Sequence, residues 1–372
     1  MRLVLCVVAF GGLLGFCAGC QAPQPHQPRT VPEADPMLSV NTLIAAPADF
    51  AAQRVGSDDY PLPAYAKFLA GVKVCLDPGH GGDAHKRGYK RGPTGVREAE
   101  MNLRVAEYLR EFLLAAGAEV KLTRDADYDL SLQDRAAIAN QWDADLFISL
   151  HHNAVNNKPQ VNFTTVWYHA GVDDRPSNLD LARYLCYGLY DSIALPQVTD
   201  VPLKSDQLMY ESGFGILRHA RVTAALSESS FFTNPDEEQR LRDPEYNLLE
   251  AYGLFTALAK YAAAGLPRAH LTEPADGITA GGQALVFELD DGLRRRQAWG
   301  HERQMILRDS LAARLDGQPL PFAFGDDAER YLLTAALPED LEPGEHSVEI
   351  HFQNMNKNSV LNPHFTIAVQ SP

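Results

Sequence analysis

The sequence predicts an α/β domain, a twisted mixed sheet with helices on both faces, followed by a small all-β sandwich. Three observations carry that expectation. Between residues 72 and 264, apolar runs of strand length alternate with longer segments at helical spacing. After Gly265-Leu266-Pro267 the pattern changes to short apolar runs separated by turn residues. The chain has 372 residues, enough for two domains, and its 45% hydrophobic content is that of an ordinary globular protein.

In chain order, Val72, Val74 and Leu76 alternate with small or polar residues, and Asp77-Pro78-Gly79 stops that strand. From Glu98, the apolar Leu103, Tyr108, Leu109 and Phe112 fall near helical spacing and Gly117 closes the helix. Glu98 and Glu100 stand in its first turn, where the macrodipole favours carboxylates in any helix. A strand follows over 119–123, a helix over 131–142, and a second buried strand over 145–150. Then come a strand over 163–168, a helix over 178–192, a strand over 222–227 and a long helix over 246–264. Beyond the break, runs at 284–289, 305–307, 312–315, 331–335, 347–352 and 364–369 are separated by turns such as Asp290-Asp291-Gly292, Asp316-Gly317 and Glu342-Pro343-Gly344. About seven strands in this span suggest an immunoglobulin-like sandwich. Its pattern is compatible with glycan binding, partner binding or a spacer.

Arg2 precedes an apolar run from Leu3 to Phe16, too short to span a bilayer and shaped like a secretory signal. It ends in Cys17-Ala18-Gly19-Cys20, which resembles a bacterial lipoprotein signal with Cys20 as the lipid-bearing residue, although Cys17 stands where Leu is usual. Gln21 after Cys20 then implies an outer-membrane anchor facing the periplasm. The alternatives are an ordinary cleaved signal and an uncleaved anchor. Repeated Pro from Gln21 to Pro36 gives an extended tether. The expected organisation is a signal over 1–20, tether and linker over 21–70, an α/β domain over 71–265 and a sandwich over 266–372. Of five cysteines, Cys75 and Cys186 fall in the folded part and are expected as buried free thiols.

The chemistry-bearing residues lie where strands end. Asp77-Pro78-Gly79-His80-Gly81-Gly82 follows the first strand, and Ser149-Leu150-His151-His152-Asn153-Ala154 ends the second. A lone histidine after a strand is more often a hydrogen-bonded structural residue. Two strands delivering histidine at their carboxyl ends can converge on one crevice, where open α/β sheets bind ligands. Ser227-Glu228-Ser229-Ser230-Phe231-Phe232-Thr233-Asn234-Pro235 adds a carboxylate at a third strand end.

These three motifs, with Glu98 four residues before Asn102-Leu103, occur in an order that resembles the zinc-dependent N-acetylmuramoyl-L-alanine amidases of the amidase type 3 class. Weaker agreement lies in Leu122-Thr123-Arg124-Asp125, Leu132-Gln133-Asp134-Arg135 with Ala139-Asn140, and Gly215-Ile216-Leu217-Arg218, and the likeness runs over 72–264. The resemblance implies that His80, Glu98 and His151 hold a Zn²⁺ whose fourth position is open. Two imidazoles and a carboxylate suit catalytic zinc, whereas structural zinc closes its shell, commonly with cysteine. It also implies that Glu228 is the base that takes a proton from water and returns it to the leaving amine. His152, Asn153 and Arg124 are accessory candidates. Peptidoglycan is the implied substrate, the membrane a partner through Cys20, and a protein activator is compatible with the class; with a net charge of −15, nucleic acid is not an expected partner.

Three departures stand against the class pattern. Ser230 replaces a usual Gly, which matters if the backbone there is left-handed. His152 occupies an ordinarily small position and competes as a ligand, although strand alternation turns it away from His151. The loop over 83–95 is long and carries His85, Lys86, Arg87, Lys90 and Arg91, either a solvated loop or an attractor for peptide carboxylates. The stretch from Leu195 to Tyr210 is a candidate lid. Three functions remain open at this point: a zinc amidase acting on the lactyl–L-alanine bond of peptidoglycan, a zinc peptidase or deacylase acting on another amide, and a wall-binding protein that has lost catalysis.

Overall fold

The computed structural model describes residues 43–170, 175–294, 305–326 and 330–370. The signal, Cys20 and the Pro-rich tether lie outside the described residues. The first unit is built from strands β1 (Lys73–Pro78), β2 (Glu119–Leu122), β3 (Leu146–Asn153), β4 (Thr165–Tyr168), β5 (Leu203–Ser205) and β6 (Thr223–Phe231). Its helices are α1 (Glu98–Ala115), α2 (Leu132–Gln141), α3 (Pro176–Ile193), α4 (Gly215–His219), α5 (Pro235–Leu241) and α6 (Pro244–Ala263). The six strands form one sheet in the order β2-β1-β3-β6-β4-β5. The first four of that order are parallel; β4 runs antiparallel to β6, and β5 follows β4. The sheet is mixed, as expected.

Side-chain alternation explains why both faces are covered. Val74 and Leu76 of β1, Leu146, Ile148 and Leu150 of β3 and Ala225 of β6 bury with Leu109 and Phe112 of α1, Leu181 and Leu185 of α3, and Leu254 and Phe255 of α6. Their neighbours Cys75, Phe147, Ala224 and Leu226 bury on the opposite face with Ala139 of α2 and Ile216 and Leu217 of α4. Strands buried on both faces lose the polar alternation of an exposed sheet, which is why they appear in sequence as near-continuous apolar runs. Cys75 and Cys186 are buried free thiols.

The second unit contains β7 (Arg268–Glu273), β8 (Ile278–Thr279), β9 (Ala284–Asp290), β10 (Ala312–Leu315), β11 (Gln318–Pro319), β12 (Phe322–Asp326), β13 (Tyr331–Ala336), β14 (Gly344–His351) and β15 (His364–Val369). They make a five-stranded sheet, β11-β10-β14-β15-β8, and a four-stranded sheet, β12-β13-β9-β7. Leu285, Phe287 and Leu333 of one sheet share a core with Val348, Ile350 and Ile367 of the other. Two expectations change here. The run over 305–307 forms only an isolated bridge, Ile306 to Asn354, because a tight turn over Arg308–Ser310 follows at once. Strands β8 and β11 are two residues each, too short to leave a period in the sequence.

The two units meet through a polar loop of the sandwich. Asn354 and Asn358 donate to Ala264 O and Gly265 O at the end of α6 (3.1 and 2.8 Å), and the Ser359 amide donates to Asp180 of α3 (2.8 Å). Asn362 accepts from the Thr223 amide at the start of β6 (2.9 Å), and Leu361 buries in the core of the α/β unit. Among the described residues no helix is long and apolar enough to cross a membrane.

Candidate metal centre and active site

The turn after β1 is held by buried charge. Asp77 is almost fully buried and accepts from Thr123 Oγ1 (2.5 Å), Ser149 Oγ (2.7 Å) and Arg135 Nη1 (2.9 Å). Burial alone would raise its carboxyl, but Arg135 and the two hydroxyls outweigh that and hold it below its usual range. Arg135 also donates to Pro78 O (2.8 Å) and His80 O (2.6 Å), and Arg124 to Pro78 O (2.8 Å) and Gly79 O (2.9 Å). Two guanidinium groups thus satisfy the carbonyls of a turn that has left the ladder. At its tip His80 adopts φ 60°, a left-handed conformation uncommon for a non-glycine residue. Strain of that kind persists where the surroundings fix it and collects at functional sites.

His80 meets two residues from other elements. Glu98 opens α1 and is buried, with its Oε1 3.1 Å from His80 Nε2 and 3.1 Å from His151 Nδ1. One ligand atom from each of His80, Glu98 and His151 lies within 4.8 Å of the others. The His151 ring lies against Gly79, where a Cβ would come 2.2 Å from its Cε1. Burial opposes ionisation of Glu98, but hydrogen bonds from His151 and His80 dominate and hold its carboxyl well below the usual range. Burial lowers the His151 imidazole, so it stays neutral and able to offer a lone pair.

Glu228 pairs in register with His151 across β3 and β6, immediately before a bulge between His151 and Asn153. Bulges beside active sites re-aim side chains. Burial, and then repulsion from Glu98, push the Glu228 carboxyl well above its usual range, opposed by Lys90. Glu228 Oε2 is buried without a hydrogen-bond partner among the described residues, whereas His80 Nε2 lies 3.1 Å from Glu98 Oε1 and Glu98 Oε2 lies 3.5 Å from Lys90 Nζ. Buried polar atoms are ordinarily paired, so the unpartnered Glu228 oxygen, on the strand position paired with His151, singles out this end of the sheet. Two imidazoles and a carboxylate are a donor set of the kind that holds a divalent cation.

The pattern of the N-acetylmuramoyl-L-alanine amidase family matches residues 74–260, half of the chain. The chain belongs to that family. Among its relatives are the cell wall amidase LytH of Staphylococcus epidermidis, described as probable (25% identical over 193 residues, 52% of this chain and 59% of that one), and the YqiI protein of Bacillus subtilis (28% over 202 residues, 54% and 90%). N-acetylmuramoyl-L-alanine amidase AmiA of Escherichia coli is 28% identical over 205 residues, 45% of this chain and 68% of that one. The match spans about three fifths of the LytH length. The solved AmiC2 amidase of Nostoc punctiforme is 28% identical over 52% of this chain and 98% of its own, with a TM-score of 0.45.

Within the amidase family pattern, each departure now has a position. Ser230 is buried and is not left-handed, so the site tolerates a side chain where glycine is usual. His152 is no ligand: it points to the other face of β3, bonding Asn102 Oδ1 of α1 (2.8 Å) and Glu250 of α6 (3.1 Å). The alternation of the strand decides this, because consecutive residues face opposite sides. Arg124 is a cradle for backbone carbonyls, and the side chain of Asn153 is turned to the Ala154 amide (2.9 Å). Within the 195–210 stretch, residues 203–205 are β5, paired to β4 at the sheet edge, and a tight turn over Asp206–Leu208 follows.

The sequence reading assigned no such role to Asn102 or Glu238, and placed Lys90 only in a basic loop. Asn102 ties His152 to the turn through Gly79 O (3.2 Å). Glu238 of α5 is buried and accepts from Thr94 N (2.9 Å) and Val96 N (3.1 Å), clamping the turn that leads into Glu98. Lys90 brings its Nζ within 3.5 Å of Glu98 Oε2. The acidic start of α5 and the spacing of Asn102 one helical turn after Glu98 were visible signals; the Lys90 contact was not, because it depends on a non-repetitive loop.

Proposed function

We propose that the chain is a zinc-dependent amidase that cleaves the bond between the lactyl group of N-acetylmuramic acid and L-alanine in peptidoglycan. The observation that carries this is the His80/Glu98/His151 cluster, with ligand atoms within 4.8 Å of one another, and the buried Glu228 on the strand position paired with His151. His80, Glu98 and His151 would hold the ion, and Glu228, outside that cluster, is left for proton transfer. Zinc, when bound, polarises an amide carbonyl and acidifies water. Glu228 takes the proton of the attacking water on its carboxylate and gives it to the leaving nitrogen; a carboxyl raised above its usual range is suited to both halves of that exchange. Membership of the amidase family supports muramoyl-L-alanine as the amide. We also propose that Cys20 is lipid-modified and places the enzyme on the outer membrane facing the periplasm, a reading carried by the signal-like sequence.

The test is mass spectrometry of peptidoglycan digested by protein lacking residues 1–20. Intact stem peptides released from muramic acid are expected, with one zinc per chain, and Glu228→Ala should retain zinc and lose activity. Products cut within the stem or the glycan would replace the amidase by another hydrolase. Full activity after chelation would remove the metal. Loss of membrane association on Cys20→Ser tests the anchor.

A further inference from the structure

The loop over 83–95 is a basic segment in a chain of net charge −15, placed beside the metal cluster. Its cations divide into two groups. Arg91 is committed to Gly95 O and Ala84 O, both at 3.0 Å, and Arg97, just after the loop, to Asp83, Glu100 and Asp127. These fasten the loop. Lys86, Arg87 and His85 are exposed, with Lys86 over the Tyr89 ring at 5.0 Å, and Lys90 is half-buried at the mouth of the site. Lys90 is fixed by its backbone: φ is 49°, and its carbonyl accepts the Glu98 amide at 3.0 Å. The strained residue is thereby anchored to the first residue of α1, and its ammonium pairs with Glu98 Oε2 at 3.5 Å, at the edge of the His/Glu/His cluster.

A chain this acidic repels an acidic substrate at long range, and a local cluster of cations reverses that at the point of entry. Lys90 lies 3.5 Å from Glu98, so a carboxylate one or two residues beyond the scissile amide, about 4–7 Å along an extended chain, comes within its reach. Resting on the amidase reading above, we propose that residues 85–91 form a carboxylate-reading lip, with Lys90 selecting peptide stems whose second residue carries a free carboxylate over stems in which that group is a carboxamide. Lys86 and Arg87 supply the attraction that brings the stem in, and Lys90 the contact that discriminates.

The experiment uses two synthetic muramoyl peptides differing only in that group. The wild-type protein is expected to favour the carboxylate about tenfold in kcat/KM, as for a charge-assisted contact, with the ratio shrinking as salt is added. Lys90→Met should bring the ratio towards one, and Lys90→Arg should restore it in part, with zinc content measured in each variant. Lys86→Glu combined with Arg87→Glu, both at exposed positions, should raise KM for the carboxylate peptide and leave its salt dependence weaker. Equal turnover of both peptides by the wild type, or a ratio unchanged in Lys90→Met, overturns the proposal. The same peptides are titrated calorimetrically into zinc-loaded Glu228→Ala protein. If neither peptide is cleaved by the wild type yet the carboxylate form binds more tightly through Lys90, the lip stands and the amidase reading falls; equal binding there removes the lip.

Discussion

Gly79 offers a clean test of the metal centre, because its replacement changes a single thing. Its backbone is outside the left-handed region, so alanine carries no conformational penalty and only the added Cβ matters. That Cβ would lie 2.2, 2.3 and 2.6 Å from the Cε1, Nε2 and Nδ1 atoms of His151. Carbon contacts settle near 3.5 Å, so the ring must retreat by about 1.3 Å. Metal–nitrogen distances tolerate about 0.2 Å, and the retreat is several times that. One of three protein ligands is then out of position. Zinc affinity should fall by at least about 100-fold, or about 2.8 kcal/mol, since outer partners alone are worth 10 to 100-fold. Competition with a chromophoric chelator measures it directly. Thermal unfolding of the metal-free protein guards against a folding defect, and Gly325→Ala, with open space around its Cβ and no positive φ, is the control expected to leave zinc binding alone. Unchanged zinc affinity in a folded Gly79→Ala protein would refute the assignment of His151 as a ligand.

Other substitutions separate holding the metal from holding the fold. His152→Ala strands the buried Glu250 carboxylate and should cost about 3–5 kcal/mol in denaturant unfolding while the protein still binds zinc; His151→Ala should do the reverse. Asp77 has a folded pKa below its unfolded one, so its contribution is complete above the unfolded value and is lost as pH falls through the folded value. Asp77→Asn should therefore lower stability at neutral pH and flatten the acid limb of a stability–pH curve measured by thermal shift. Leu361→Ala, a change in the sandwich loop, should cost about 2–5 kcal/mol in the unfolding of the α/β unit, seen as a shared transition moving down; a shift confined to a separate sandwich transition would contradict the shared core.

The α/β half was legible because its strands are buried on both faces and its helices carry apolar stripes, which are properties of local sequence. The particular contacts of the accessory candidates were not legible, for a different reason. His152 and Arg124 were picked as neighbours of motif residues, yet their roles depend on what α1, α6 and the turn after β1 place opposite them. Likewise β5 is three residues of half-buried chain whose only strong feature is its partner β4. Lys90 was seen as one of five basic loop residues; that it differs from Arg91 follows only from the carbonyls at Gly95 and Ala84 that engage its neighbour.

The junction between the units has a bearing on the site despite its distance in sequence. Asn362 holds the Thr223 amide at the start of β6 and donates to Ala144 O just before β3 (3.3 Å), which are the ends opposite His151 and Glu228 on the same two strands. Strands are stiff along their length, and these two are paired over six consecutive residues from Leu146 and Thr223 to His151 and Glu228. Satisfying their lower ends with a side chain of the sandwich supports the register that sets His151 beside Glu228. A spacer that merely separated two independent bodies would not need an asparagine in the ladder of the catalytic sheet. The sandwich thus contributes a loop to the packing and hydrogen bonding of the α/β unit.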